Sequence, residues 1–363
     1  MPDRTHSPVA VVAGGSAGVG RACVEALLTR GQRVAVLARG QGRLDEMRQE
    51  FGDRVWTRSV DVSDAAAVNA AARDISDEFG TPEIWINSAM LTSFSPFEQV
   101  DDAEFRKITD TTYLGTVNGC RAALSVMSRG NVVNVGSGLA YVSVPYQAAY
   151  CGAKHAVEGF TQALRIEIVR AERPITVSMV QLPAVNTPQF DWARNRTDRK
   201  QQPAPPIFAP DVAARGVMQA IDTDAREVLV GRSVLQLMVG NMILPDLVER
   251  QLAGMGVEAQ KSERPSADRG DNLDGPLEEY PSKAEGSYSY RAEESGLVLD
   301  GDMARKVFAF GGAAAFLAVG IMIGRSTRAS SVDGSRSGSW LPSRSPDWMD
   351  EPPVYRRPVE YRH

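Results

Sequence analysis

The sequence predicts an α/β protein built on a doubly wound parallel sheet with helices on both faces. Three observations carry that expectation. Between residues 9 and about 231, short β-branched runs alternate with longer Ala-, Leu- and Arg-rich segments of helical period. Each strand candidate is a continuous apolar run, as strands buried on both faces require. A glycine-rich turn joins the first strand candidate to the first helix candidate.

VAVVAG at 9–14 opens the sheet, and the helix candidate GRACVEALLTRG follows at 20–31. RVAVLAR at 33–39 and WTRSVDV at 56–62 supply the second and third strands, with a helix over 65–80 after them. IWINSA at 84–89 and NVVNVGS at 131–137 are the fourth and fifth. A long helix over 149–170 leads into the sixth, ITVSMVQLP at 175–183. One domain, residues 1–255, accounts for this pattern.

The chain has 363 residues, and a single α/β domain usually ends near about 250. Residues 256–302 are rich in Glu, Asp, Ser, Pro and Gly without an apolar period, so a disordered acidic linker is expected there. The run VFAFGGAAAFLAVGIMIG, 307–324, has no charged or polar side chain. As a helix it would reach about 27 Å, close to the thickness of a bilayer core. Arg305 and Lys306 precede it and Arg325 and Arg328 follow, which suits headgroups on both sides. A transmembrane anchor is therefore expected over 303–325, and a disordered tail over 326–363. A buried core helix is the competing reading, but two flanking polar tracts leave it nothing to pack against.

Charge and composition narrow the function. The net charge is −5, from 40 Lys+Arg against 45 Asp+Glu, and no long basic run occurs. That argues against a nucleic-acid partner. Three cysteines, Cys23, Cys120 and Cys151, without C-x-x-C spacing argue against a disulfide framework or zinc site and fit a reducing compartment. With three histidines, two of them near the termini, neither a metal site nor a histidine triad is expected. The first residues lack the apolar core of a signal peptide. A membrane-anchored protein with its catalytic domain in the cytoplasm follows, although Arg325, Arg328, Arg336 and Arg344 would by the positive-inside tendency draw the tail inward.

The turn reads Ala13-Gly14-Gly15-Ser16-Ala17-Gly18-Val19-Gly20. Gly14 permits the tight bend, while Gly18 and Gly20 let the backbone approach a pyrophosphate at the positive helix N-terminus. Together with Ser16 and Val19 they make a candidate dinucleotide site, which marks the sheet as Rossmann-like. The second strand ends in Leu37-Ala38-Arg39 and lacks the acid that holds a ribose 2′-hydroxyl in NAD-preferring sites. Arg39 would instead meet a 2′-phosphate, giving NADP(H) as the preferred cofactor with NAD(H) possible; a solvated end-of-strand charge is the alternative. Asp61 and Val62 end the third strand and Asn87 the fourth, where the ligand crevice opens; loop capping is the other reading for Asp61 and Asn87.

Tyr150 and Lys154 lie one helical turn apart and can point at one crevice. A tyrosine near pKa 10 must be lowered to exchange protons at neutral pH. An ammonium about 6 Å away supplies about 3 kcal/mol toward that at an effective dielectric near 20. Ser137, at the end of the strand preceding Tyr150, offers a hydroxyl to a substrate carbonyl or alcohol.

Over about residues 9–230 these features resemble the short-chain dehydrogenase/reductase family of one-domain NAD(P)-dependent oxidoreductases. The glycine turn is similar to the family's T-G-x-x-x-G-x-G with Ala13 for Thr, and NSAM at 87–90 is a degenerate N-N-A-G that keeps Asn87 and Ala89. Ser137, Tyr150 and Lys154 match the catalytic Ser and Y-x-x-x-K. QLPAVNT at 181–187 resembles the Pro-Gly-to-Thr segment with Ala184 for Gly, implying that Thr187 contacts the nicotinamide carboxamide. Two departures stand out. Thr112 takes the place of the family's proton-relay Asn, and Met90 replaces a Gly beside the cofactor.

The resemblance implies hydride transfer between C4 of the nicotinamide and a small-molecule carbonyl or alcohol. Tyr150 would move the proton, Lys154 would bind the nicotinamide ribose, Ser137 would position the oxygen and Thr112 would serve the relay in place of Asn. It also implies a homo-oligomer. A non-catalytic NADP(H)-binding scaffold or redox sensor at the membrane is the competing class, favoured by Thr112 and the altered N-N-A-G. Residues 188–208 lie where the family places a lid, with Phe190, Trp192 and Phe208 either lining an apolar pocket or packing the lid down. The apolar stretch 233–245 would close the pocket, form a dimer contact or touch the membrane. A lipophilic substrate fits an anchored enzyme.

Overall fold

The computed structural model describes residues 8–267 and 269–307. Eight strands form the central sheet: β1 Val9–Ala13, β2 Arg33–Ala38, β3 Val55–Ser59, β4 Pro82–Asn87, β5 Gly130–Val135, β6 Ile175–Gln181, β7 Glu227–Val230 and β8 Val298–Asp300. Their spatial order is β8-β7-β6-β5-β4-β1-β2-β3. All pairings are parallel except β7 with β8. The order reverses between β1 and β4, which opens a crevice at the carboxyl ends of the strands. All six expected strands are present.

The sheet is covered by helices α1 Gly18–Thr29, α2 Gln41–Phe51, α3 Ala65–Asp74, α4 Asp102–Thr109, α5 Gly115–Val126, α6 Ala148–Arg170, α7 Pro210–Thr223, α8 Arg232–Ile243 and α9 Pro245–Ala259. One face packs α1, α2 and α7 through Leu27, Leu44, Met47 and Val217. The other packs α3, α5 and α6 through Val68, Cys120 and Ile168 around the fully buried Trp85. Every residue of β1 is buried, which is why its sequence runs apolar without alternation.

Residues 256–302 depart from the expected disordered linker. α9 continues to Ala259, Lys261–Pro265 pairs antiparallel with Arg199–Gln201, and β8 closes the sheet edge at β7. The stretch lacks an apolar period because it is fastened by polar contacts to residues distant in sequence. Arg194 pairs with Asp271 and Asp274, each at 2.8 Å, and Arg226 with Asp302. Leu273 and Tyr288 are its two buried anchors, and the Tyr288 hydroxyl donates to the Gln201 carbonyl at 2.7 Å.

The apolar run 307–324 lies, apart from Val307, outside the described residues, as does the tail 326–363. Among the described residues no helix is long and apolar enough to cross a membrane.

Candidate active site

A cavity of about 680 Å³ runs along the carboxyl ends of the strands. Gly14, Ser16, Gly18, Val19, Arg39, Asp61 and Val62 line one end, and Ser137, Tyr150, Lys154 and Thr187 the other, with Ala89 among the residues that complete the wall. Twelve of the fifteen residues expected from the sequence therefore meet the cavity, all but Gly20, Asn87 and Thr112.

The turn between β1 and α1 is left-handed at Gly14, φ +84°, where a Cβ would lie 2.5 Å from the Ala89 amide nitrogen. Gly18 is also left-handed, φ +59°. The result is a bare backbone cradle at a helix N-terminus, which fits the phosphates of a dinucleotide. Gly20 has a different task from the one expected. It does not line the cavity, and a Cβ there would come 2.1 Å from the Gly14 carbonyl oxygen, so it lets α1 pack on the turn.

Asn87 also corrects an expectation. Its Nδ2 donates to Asn134 Oδ1 at 2.8 Å and Cys120 Sγ at 3.4 Å, and its Oδ1 accepts from Trp85 Nε1 at 3.0 Å. The amide is consumed in fastening β4 to β5 and α5, away from the cavity. Asp61 caps its own loop through Ser63, whose amide and hydroxyl donate to Oδ1 at 2.9 and 2.7 Å, yet still lines the cavity. Arg39 donates to the carbonyls of Asn272 at 2.6 Å and Leu273 at 3.4 Å.

At the other end, Ser137 and Tyr150 line the cavity together, and the Ser137 hydroxyl exerts a lowering pull on the Tyr150 phenol. The Ser137 amide donates to Gln181 Oε1 at 2.9 Å, and Ser137 Oγ accepts from the Leu139 amide at 3.1 Å, so the end of β5 is held rigidly. Lys154 Nζ donates to the Val135 carbonyl at 2.7 Å and lies 5.7 Å from the Tyr150 ring centre. Burial pushes the Tyr150 phenol above its usual value near 10, against a lowering pull from Ser137. Lys154 does not act on Tyr150 in the way its spacing predicts. Instead desolvation dominates the Tyr150 shift, the lowering pull on it comes from Ser137, and burial brings Lys154 itself down to about 8.

Thr112 does not reach the site. Its Oγ1 accepts from the Leu91 amide at 3.0 Å and donates to the Leu91 carbonyl at 3.1 Å, while its carbonyl accepts from Thr116 at 3.0 Å. Neighbouring Thr111 lines the cavity instead, with a buried Oγ1 that has no hydrogen-bond partner. Both sit in a π-helical turn, Asp110–Leu114, whose extra residue changes which side chain faces inward. Phe190 and Trp192 line the cavity, whereas Phe208 is fully buried in the core. From 233–245, Ser233, Val234, Gln236 and Leu237 line it, and Met242, Ile243 and Leu244 are exposed.

The family model for short chain dehydrogenases matches residues 8–198, more than half of the chain. The chain belongs to the short-chain dehydrogenase family. This short-chain dehydrogenase is 27% identical over 272 residues to the uncharacterized oxidoreductase YxnA of Bacillus subtilis, covering 72% of this chain and 76% of that one. It is 32% identical over 231 residues to D-threitol dehydrogenase of Mycolicibacterium smegmatis, covering 61% and 89%. A short chain dehydrogenase from Burkholderia cenocepacia, solved in complex with NADP, superposes with a TM-score of 0.58 at 28% identity, covering 68% of this chain and 97% of that one. The protein is accordingly an oxidoreductase of that family.

Proposed function

We propose that this short-chain dehydrogenase interconverts a lipophilic ketone or aldehyde and its alcohol with NADP(H), held at a membrane by residues 307–324 and with its catalytic domain in the cytoplasm. The observation that carries the reading is the convergence of Ser137, Tyr150 and Lys154 at one end of a cavity whose other end is a glycine turn at a helix N-terminus.

Gly14, Ser16, Gly18 and Val19 would hold the pyrophosphate, Arg39 the adenosine end and Thr187 the nicotinamide end. The bound nicotinamide supplies or accepts the hydride. In the reducing direction, Ser137 positions the substrate oxygen and Tyr150 gives it a proton as negative charge develops. The raised phenol stays protonated through neutral pH, which suits an acid. Lys154, fixed by the Val135 carbonyl, presents its ammonium to the cofactor ribose and supports the tyrosinate left after transfer. Substrate class is inferred from the apolar wall contributed by Phe190, Trp192, Leu237 and Leu252, together with the apolar run that follows the domain. Self-association, as expected of the family, is part of the same proposal.

Tyr150→Phe removes the proton donor and leaves the cradle intact. Its kcat should fall by about 10²-fold or more on a panel of hydrophobic carbonyl compounds in micelles, while the Kd for NADP⁺ stays within about twofold. Retention of full activity by this variant would remove the basis for the assignment.

A further inference from the structure

Residues 271–287 cross the adenosine end of the cavity and bind the groups that end offers. The Gly18 amide donates to the Lys283 carbonyl at 3.0 Å, and Ser282 Oγ donates to the Ser16 carbonyl at 2.9 Å. Arg39 is held by the carbonyls of Asn272 and Leu273, and Arg43 Nη1 donates to the Leu277 carbonyl at 2.6 Å. Glu278 completes the set. Its Oε1 accepts from the Gln41 amide and its Oε2 from the Gly42 amide, both at 3.1 Å.

Those two amides begin α2, whose N-cap is Gly40 and whose first turn has no acidic residue. The helix therefore takes its anionic cap from a residue more than 230 positions away. A second observation marks this place as an anion seat. Arg43 is 7% exposed and lies against Gly40, yet its buried Nε has no hydrogen-bond partner. Ala38, Arg39, Gly40 and Arg43 line the cavity at the end of β2, next to where an adenosine ribose would rest.

We infer that Glu278 discriminates between the two dinucleotides: its carboxylate occupies the seat of a ribose 2′-phosphate, so NADP(H) has to displace it and NAD(H) does not. This rests on reading the cavity as a nucleotide site. Two anions cannot share the Gln41 and Gly42 amides, whereas a 2′-hydroxyl makes no such demand. Glu278 is itself exposed, so it can swing out without a buried charge being stranded. Displacement then hands the 2′-phosphate two amides, and the neighbouring guanidiniums of Arg39 and Arg43 exchange the carbonyls of Asn272, Leu273 and Leu277 for it.

The test is isothermal titration of the full chain in detergent micelles with NADP⁺ and with NAD⁺, for the unaltered protein, Glu278→Gln and Glu278→Ala. Both variants should bind NADP⁺ about three- to tenfold more tightly, with NAD⁺ unchanged within about twofold. Hydrogen exchange should add that both dinucleotides speed exchange around Lys283, which the pyrophosphate displaces from Gly18, whereas only NADP⁺ speeds it across 277–279 in the unaltered protein. Equal changes for both dinucleotides, or no change for either, would overturn the role of Glu278 alone. Failure of both dinucleotides to bind would overturn the function reading as well.

Discussion

Burial brings Lys154 down to about 8 from an ordinary 10.5, because its ammonium, which donates to the Val135 carbonyl, is desolvated. Two consequences follow. The unfolded chain holds this proton up to about pH 10 and the folded chain releases it near 8, so the group's cost to folding is full below pH 8 and is relieved as pH rises between those values. Lys154→Met should then raise unfolding free energy at pH 7 by about 1–3 kcal/mol, read by urea denaturation, while abolishing turnover. In the unaltered enzyme kcat/KM should fall above pH about 8, since that profile reports groups of the free enzyme and Tyr150 titrates higher. An alkaline limb beginning only above pH about 10 would assign it to Tyr150 instead. Ser137, Tyr150 and Lys154 were legible in the sequence because a strand end and one helical turn suffice to place them. Thr111 was not, because the π turn at Asp110–Leu114 shifts the inward face by one position.

At the scale of elements, the β1–α1 turn shows how tightly a legible motif can be built. Gly14 and Gly18 form the cradle, and Gly20 lets the helix close on it. Gly20→Ala would drive a methyl into the Gly14 carbonyl, a backbone atom that cannot rotate away. A loss of about 2 kcal/mol or more is expected in chemical denaturation, with weakened dinucleotide binding. The six long strands could be read from their continuous apolar runs. β7 has only four residues and starts at a buried glutamate, and β8 ends on an aspartate, so neither shows the pattern. Asn87 was misread for a related reason. Its position at a strand end suggested the crevice, but its partners Asn134 and Cys120 come from β5 and α5 and no local pattern announces them.

Across the whole described molecule, the acidic stretch after α9 belongs to the domain. It seats Leu273 and Tyr288, closes the sheet edge with β8 and crosses the adenosine end of the cavity. Composition concealed this, because a stretch held by arginines of the domain carries no apolar period of its own. Ending the chain after residue 255 should therefore lower the melting temperature by about 5 °C or more and expose the β7 edge. A truncated chain as stable as one ending at residue 307 would show that the stretch adds nothing to the fold.

The central claim is that a substrate oxygen held by Ser137 and Tyr150 lies beside the carbon that exchanges hydride with the cofactor. It is tested most directly by supplying NADPH deuterated at the transferable C4 position with hydrophobic ketones and examining the product by mass spectrometry. The account predicts one deuterium on the carbinol carbon of the alcohol, and none formed by Tyr150→Phe. NADPH binding without label transfer to any member of the panel would contradict it.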